Sequence, residues 1–158
     1  MPKPISARPG ALPTDRVRHA GGFTLVELMV VVVIVAILAA IALPSYSDYA
    51  KRGKIPDATS NLAAQRVKLE QYFQDSKTYT GAPTCIANDT TTSTNFTFAC
   101  TVTLGGLGYT LSATGVGSML GFVYTVDQTN ARTTAAVPAG WTAPTPNNCW
   151  VTSKSGSC

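Results

Sequence analysis

Charged side chains are scarce in the second half of this 158-residue sequence. Residues 81–158 contain four of them, Asp89, Asp127, Arg132 and Lys154. The only histidine, His19, lies in the first 22 residues, and removal of that segment would leave none. Histidine and suitably placed carboxylates are the usual general acids and bases of enzymes. The sequence therefore predicts a protein that is not an enzyme and needs no cofactor.

The four cysteines include no Cys-x-x-Cys pair. Zinc sites usually need such close pairs or histidines, so no metal site is predicted. In an exported protein an even number of cysteines indicates disulfides, and four cysteines allow three pairings. We favour Cys85 with Cys100 and Cys149 with Cys158, because each bond then closes a short loop. A loop near 15 residues stabilises by roughly 3 kcal/mol.

Basic charge is concentrated at the N-terminus. The sequence pI is about 9.0, but residues 1–22 alone carry four basic side chains and one acidic one. The rest of the chain has eight basic and seven acidic side chains. Removal of the first 22 residues would therefore remove most of the basic character. An interpretation as a general nucleic-acid binder loses its support from the pI.

No apolar stretch precedes the Gly21–Gly22 pair, whereas a secretory signal places one before its cleavage site. The apolar run follows instead, at 23–43, and Thr24 and Glu27 are its only non-apolar residues. As a helix, its 21 residues would be about 31 Å long, enough to cross a bilayer core. Cleavage after the glycine pair would leave this membrane helix on the mature chain.

A second helical segment follows the apolar run. Pro44 should end or kink the first helix, and Gly53 with Pro56 marks a second weak point. From residue 45 to 76 the sequence is amphipathic, although Gln65 interrupts its apolar stripe. The stripe consists of Ala58, Leu62, Leu69 and Phe73. We predict a long kinked helix with an apolar first half (23–44) and an amphipathic second half (45–76).

Residues 77–158 have the pattern of an antiparallel sheet domain. Apolar and polar residues alternate over 96–104, 109–114 and 122–127, and Gly-rich turns separate these segments. A fourth, weaker strand is predicted at 132–137. One face of this sheet packed on the amphipathic half-helix would bury both apolar faces. The predicted fold class is therefore α+β.

Glu27 is the most informative residue of the apolar run. An ionised carboxylate deep in a bilayer costs about 2.5–3.5 kcal/mol and usually has a partner. After cleavage behind Gly22, the free amine of Phe23 would lie four residues earlier on the same helical face. The two groups could pair within one chain or between neighbouring helices of a bundle. Alternatively, Glu27 is a tolerated polar residue that reaches the membrane surface.

The segment from Gly22 to Val31, together with residues 36–46, resembles the N-terminus of type IV prepilins. The resemblance includes the Gly22–Phe23 junction, Glu27, Pro44 and Tyr46. It implies cleavage by prepilin peptidase, N-methylation of Phe23 and assembly into a pilus whose core consists of these helices. It also implies a helix packed on a four-stranded antiparallel sheet and a C-terminal disulfide loop, which Cys149 and Cys158 match.

The resemblance further implies a single-pass inner-membrane stage, a later extracellular filament, and partners in other pilins, the peptidase and the assembly machinery. Adhesion and twitching motility are functions of such filaments. The C-terminal half is similar to PilE-like pilins, which include minor pilins. One departure is Ala36, eight residues before Pro44, where many pilins have glycine; this departure weakens the expectation that the helix melts locally between these two positions in the filament.

Two alternatives share the same N-terminus. A type II secretion pseudopilin is disfavoured by the two predicted disulfides and by the lack of an acidic cluster for calcium. A minor pilin that binds DNA or a surface is the other, and its only basic cluster is Lys51, Arg52 and Lys54. This cluster comes just after the membrane segment, where basic residues are usually solvated or face lipid. Major and minor subunits share all of these features.

The glycine-pair junction generates the first testable prediction. The mature protein should keep 136 of the 158 residues once the first 22 are removed, and should begin with methylated Phe23. Intact-mass measurement on membrane and filament fractions checks this. Filaments that still contain residues 1–22 would contradict it.

Overall fold

The structure, a computed structural model, describes residues 22–158 and consists of one long helix followed by a small sheet. The predicted leader, 1–22, lies outside the described residues except for Gly22. Helix α1 is Leu25–Ser76, and the strands are β1 (Phe96–Thr103), β2 (Gly108–Gly115), β3 (Val123–Asp127) and β4 (Arg132–Ala136). The chain divides into two compact units between Ala39 and Ala40.

Helix α1 has 52 residues and does not end at Pro44 or at Pro56. A helix break at Pro44 is therefore wrong, while a kink there stays a prediction. Proline removes one backbone donor from a helix, and α1 continues through both prolines despite that loss. The helix ends at Ser76, where Lys77 adopts a left-handed φ of 55° and donates its N–H to Phe73 O at 2.9 Å.

The four strands form an antiparallel meander in the order β1-β2-β3-β4. The structure confirms the four predicted strands, with small shifts at their ends. β1 ends at Thr103, because Leu104 turns the chain with a φ of 52°. β3 begins at Val123, because Phe122 closes the preceding turn with its N–H on Met119 O. A bulge interrupts the β3–β4 pairing at Val123 and Tyr124.

The second half of α1 packs on the sheet, which confirms the predicted amphipathic arrangement. The buried residues of the helix recur every three or four positions: Ile55, Ala58, Leu62, Gln65 and Leu69. Gln65 therefore belongs to the buried face and does not interrupt it. The sheet contributes Phe96, Phe98, Tyr109, Leu111, Tyr124 and Val126 to the same core. Burying one such large apolar side chain stabilises the fold by about 1.5–3 kcal/mol.

Two carboxylates on α1 fix the helix to the rest of the domain. Glu70 accepts hydrogen bonds from Tyr79 Oη at 3.1 Å and Tyr109 Oη at 2.9 Å. Burial, together with these bonds, raises the pKa of Tyr109 far above its usual value. Asp57 accepts hydrogen bonds from Ser93 Oγ and from Asn95 Nδ2, which anchors the loop before β1. Asn95 lies in an Asn-x-Thr sequence, but its amide is engaged in this contact.

Two disulfides close loops of the sheet domain. Cys85 pairs with Cys100 across 15 residues and ties the loop after α1 to the middle of β1. Cys149 pairs with Cys158 across 9 residues and closes the C-terminal loop. Of the three possible pairings, this is the sequential one that the short loops favour.

The second prediction concerns these bonds. Peptide mapping without reducing agent should find Cys85 joined to Cys100 and Cys149 joined to Cys158. Replacing either pair by serine should lower the free energy of unfolding by about 2–5 kcal/mol, because the unfolded chain regains the entropy of the open loop. Denaturant titration measures the loss. A crossed pairing or free thiols in the native protein would contradict the assignment.

Candidate functional site

The first half of α1 has an apolar and exposed surface. From residue 25 to 43, every large apolar side chain is at least half exposed, from 51% for Val31 to 74% for Leu25. A continuous apolar surface of this size is rare on soluble monomers. By length and composition, α1 is the one helix within residues 22–158 that could cross a membrane. Such a surface is typical of a helix that contacts lipid or other apolar helices.

Glu27 belongs to the first turn of the helix and has a local role there. Thr24 is the residue just before the helix, and its Oγ1 accepts a hydrogen bond from Glu27 N at 3.2 Å. The Thr-x-x-Glu spacing is that of a capping box. An acidic side chain in a first turn also interacts favourably with the helix dipole. Sequence reasoning missed Thr24, although a Thr-x-x-Glu motif before an apolar run is a recognisable signal.

The predicted processing residues lie just before this helix. An added Cβ at Gly22 would meet no atom within 4 Å, and Phe23 is 82% exposed. The fold itself therefore imposes no steric requirement for glycine at this position. Recognition of Gly22 and Phe23 by a peptidase stays a prediction, as does the role of Pro44 in assembly.

The three basic residues of the predicted cluster, Lys51, Arg52 and Lys54, do not form one exposed basic surface in the structure. Lys54 Nζ donates a hydrogen bond to Ser118 Oγ at 2.7 Å, which fixes α1 to the turn between β2 and β3. Lys51 is partly buried, and Arg52 is exposed. Only Arg52 of the three is therefore a fully exposed cation.

Most carboxylates of the described chain are engaged in intramolecular contacts. Besides Asp57 and Glu70, Asp48 forms an ion pair with Lys154 at 2.8 Å. The hydrogen bond from Lys154 holds the pKa of Asp48 below its usual range. Asp89 and Asp127 accept hydrogen bonds within their own turns.

The two turn carboxylates are stabilised in their ionised form. A hydrogen bond from the Thr92 hydroxyl, with those from the backbone N–H groups of Thr91 and Thr92, holds the pKa of Asp89 far below its usual value. Burial raises the pKa of Asp127, but hydrogen bonds from Thr129 and Ala131 outweigh this effect and leave it lowered. Acids that are fixed as anions in structural turns are poor candidates for proton transfer.

Within residues 22–158, no three Cys, His, Asp or Glu side chains form a group that could hold a metal ion. Two carboxylates in this part of the chain have no hydrogen bond or ion pair with a protein side chain. One is Glu27, in the first turn of α1, and the other is Asp75, in its last turn. Sequence reasoning did not single out Asp75, because its isolation depends on where every other charge is placed.

Two family models match this chain, one over the apolar N-terminal segment and one over the segment that follows it. Residues 17–43 match the prokaryotic N-terminal methylation motif. Residues 44–122 match the family described as type IV minor pilin ComP, DNA uptake sequence receptor, and this match covers half of the 158 residues.

Several curated pilins are similar over a short segment. The fimbrial protein EcpC of Eikenella corrodens is 43% identical over 54 residues, 34% of this chain and 35% of that protein. The type IV major pilin protein PilE1 of Neisseria gonorrhoeae is 46% identical over 52 residues, 33% of this chain and 32% of that protein. Each match thus spans about a third of the relative's length.

Among solved structures, a type IV pilin from Shewanella oneidensis aligns with a TM-score of 0.43 and 22% identity, over 64% of this chain and 98% of that one. The family models together extend from residue 17 to residue 122. The chain therefore belongs to the type IV pilin family, within the group described as type IV minor pilin ComP, DNA uptake sequence receptor.

Proposed function

We propose that this chain is a structural subunit of a type IV pilus. Before assembly, the helix of residues 23–44 holds it in the bacterial inner membrane; afterwards, the same helix packs among others in the filament core. The observation that carries the proposal is the exposed apolar surface from Leu25 to Leu43. Lipid covers it in one state and neighbouring helices in the other, so the chain moves between two apolar environments.

The family is structural and in general not enzymatic. The proposed partners are other pilin subunits, prepilin peptidase with its methylase activity, and the inner-membrane assembly machinery. The relatives are pilins and fimbrial proteins, which favours a pilus subunit over a type II secretion pseudopilin. In the proposed cycle the peptidase acts at the Gly22–Phe23 bond, where the chain is exposed and open.

Glu27 has two roles in this proposal. Within the chain it completes the first turn next to Thr24, at an N–H···O distance of 3.2 Å. Between chains its carboxylate pairs with the amine of Phe23 on a neighbouring subunit. An unpaired charge in a dry core is costly, so pairing favours transfer of a subunit from lipid into the filament and fixes the stagger between helices.

The third prediction separates these two roles. Glu27→Ala and Glu27→Gln should insert into the membrane, because each removes a costly charge from the apolar run. Both should fail to enter filaments if the charge pair is what matters, since Gln keeps the size and hydrogen bonding but not the charge. The measurement is the abundance of each variant in sheared filaments relative to its inner-membrane pool.

Thr24→Ala is the matched control for this series. It removes the capping oxygen and weakens the helix end by about 1 kcal/mol, but leaves the carboxylate in place. It should enter filaments at close to the wild-type level. If Glu27→Gln assembles normally while Thr24→Ala fails, the charge pair is ruled out and the cap is the function of this turn.

A second candidate function is DNA binding by the same subunit. The matching family is described as a DNA uptake sequence receptor, and its match covers residues 44–122 of this chain. The structure offers exposed cations on and just after α1 that have no hydrogen bond or ion pair within the described part of the chain: Arg52, Lys68 and Lys77. Such side chains can contact phosphates, which supply the salt-dependent part of DNA affinity.

The fourth prediction tests this second function. The detergent-solubilised mature chain should bind a labelled DNA duplex with an affinity that falls as salt rises. Lys68→Ala or Lys77→Ala should each reduce the slope of log affinity against log salt by about 1, because each removes one phosphate contact. Fluorescence anisotropy over a salt series measures the slope.

The control for the DNA experiment is Lys154→Ala, because the ammonium of Lys154 is already neutralised by its ion pair with Asp48. This variant should leave the slope close to that of the wild type. Affinity that does not depend on salt, or an absence of binding, would contradict a DNA-binding role and would leave the pilus-subunit proposal untouched.

A further inference from the structure

Arg132 is an exposed cation at the start of β4 that the fold holds in one position. Its guanidinium carbon lies 4.8 Å from the ring centroid of Trp150. The indole is itself fixed, because Trp150 Nε1 donates a hydrogen bond to Thr125 O at 2.8 Å. Stacking on an aromatic face is a favourable arrangement for a guanidinium and leaves its edge free.

The hydrogen-bonding capacity of Arg132 is almost unused. Its one hydrogen bond in the described part of the chain runs from Nε to Asn130 Oδ1 and is long, at 3.5 Å. A guanidinium has five N–H donors in a planar fork that fits a carboxylate. Arg132 is therefore a preorganised site for an anion that residues 22–158 do not place on it.

The free edge of Arg132 opens onto a groove of about 460 Å³. One wall is the segment of α1 that includes Thr59, Ser60 and Ala63, and the other is the C-terminal loop with Thr152. The hydroxyls of Thr59, Ser60 and Thr152 already donate to backbone carbonyls, so the guanidinium of Arg132 is the donor that this groove offers to an oxyanion. The groove is open, so the side chain of a second protein can enter it.

Asp75 is the matching group on the same molecule. It is exposed in the last turn of α1, and it makes no hydrogen bond or ion pair among residues 22–158. That turn contains no basic residue, and the C-terminal end of a helix disfavours an anion. Apart from Glu27, Asp75 is the one acidic side chain within residues 22–158 that has no hydrogen bond and no ion pair. A cation from another molecule would therefore stabilise its negative charge at this helix end.

The two groups cannot meet within one chain. Asp75 lies twelve residues beyond Ala63 on α1, a distance of about 18 Å along the helix axis. A contact between different surfaces of two copies is heterologous, and its repetition builds an open helical assembly. The groove and Asp75 are thus separated along the helix axis. Asp75 of one subunit can therefore reach the groove of a neighbour that is displaced along this axis.

We propose that Asp75 of one subunit enters the groove of the next and pairs with its Arg132. The proposal rests on the pilus-subunit function and names one contact between sheet domains, separate from the helix contact at Glu27. Residues 81–158 carry only four charges, so a single well-placed ion pair can decide the register between neighbouring domains.

A charge exchange tests the contact. Arg132→Glu or Asp75→Arg alone should reduce incorporation into sheared filaments about ten-fold, because each places like charges opposite each other. The double variant Arg132→Glu/Asp75→Arg should recover incorporation to within about two-fold of wild type, since the pair is restored in reverse. Immunoblots of filament and inner-membrane fractions measure the ratio.

Thr94→Glu is the matched control, because it adds an acidic side chain at another exposed position of the same domain. It should leave incorporation unchanged. Circular dichroism melts of the detergent-solubilised chains show whether each variant folds, and Arg132→Lys, which keeps the charge, replaces Arg132→Glu if the latter unfolds. Arg132→Lys should incorporate better than Arg132→Gln.

The proposal is overturned if the folded single variants incorporate as well as wild type, or if the double variant stays as defective as the single ones. It is also overturned if Arg132→Glu weakens DNA binding but not incorporation, because the groove then binds phosphate. Absence of the wild-type chain from filaments would instead contradict the pilus-subunit function itself.

Discussion

Helix α1 has two apolar surfaces. The sheet of the same chain packs on the second of them, and the first stays exposed. From Ile55 to Leu69 the buried face of α1 recurs every three or four residues and packs on β1, β2 and β3. From Leu25 to Leu43 the apolar side chains surround the whole helix and stay exposed. A helix that is apolar on all sides needs lipid or other helices around it. In the proposed function, this requirement is the reason that the chain acts as a subunit.

Most acidic side chains of the domain form contacts within the same chain. Three hydrogen bonds join α1 to the loops and strands. They link Asp57 to Ser93, Glu70 to Tyr109 and Lys54 to Ser118. Asp89 and Asp127 stabilise turns in their ionised form. Because these groups satisfy one another, few acidic side chains are left for contacts with other molecules. Arg132 and Asp75 matter as a pair for that reason, as does Glu27 in the apolar half of the helix.

Prediction from the sequence worked where a local pattern determines the structure. Alternation of apolar and polar residues located all four strands, with errors of one residue at five strand ends: Leu104, Gly108, Gly115, Phe122 and Val137. At Leu104 the alternation continues but a positive φ turns the backbone away from β2. Proline rules allowed either an end or a kink of the helix at Pro44, and the structure excludes the end, because α1 continues to Ser76.

The sequence by itself determined the apolar helix, the glycine junction, the amphipathic half-helix and the spacing of the cysteines, because each depends on neighbours within a few turns of chain. Only the tertiary structure decided which charges are free. Trp150 reaches Arg132 from 18 positions away, and Ser118 reaches Lys54 from 64 positions away. Such contacts depend on strand register and on how the helix packs against the sheet, and no local periodicity contains that information.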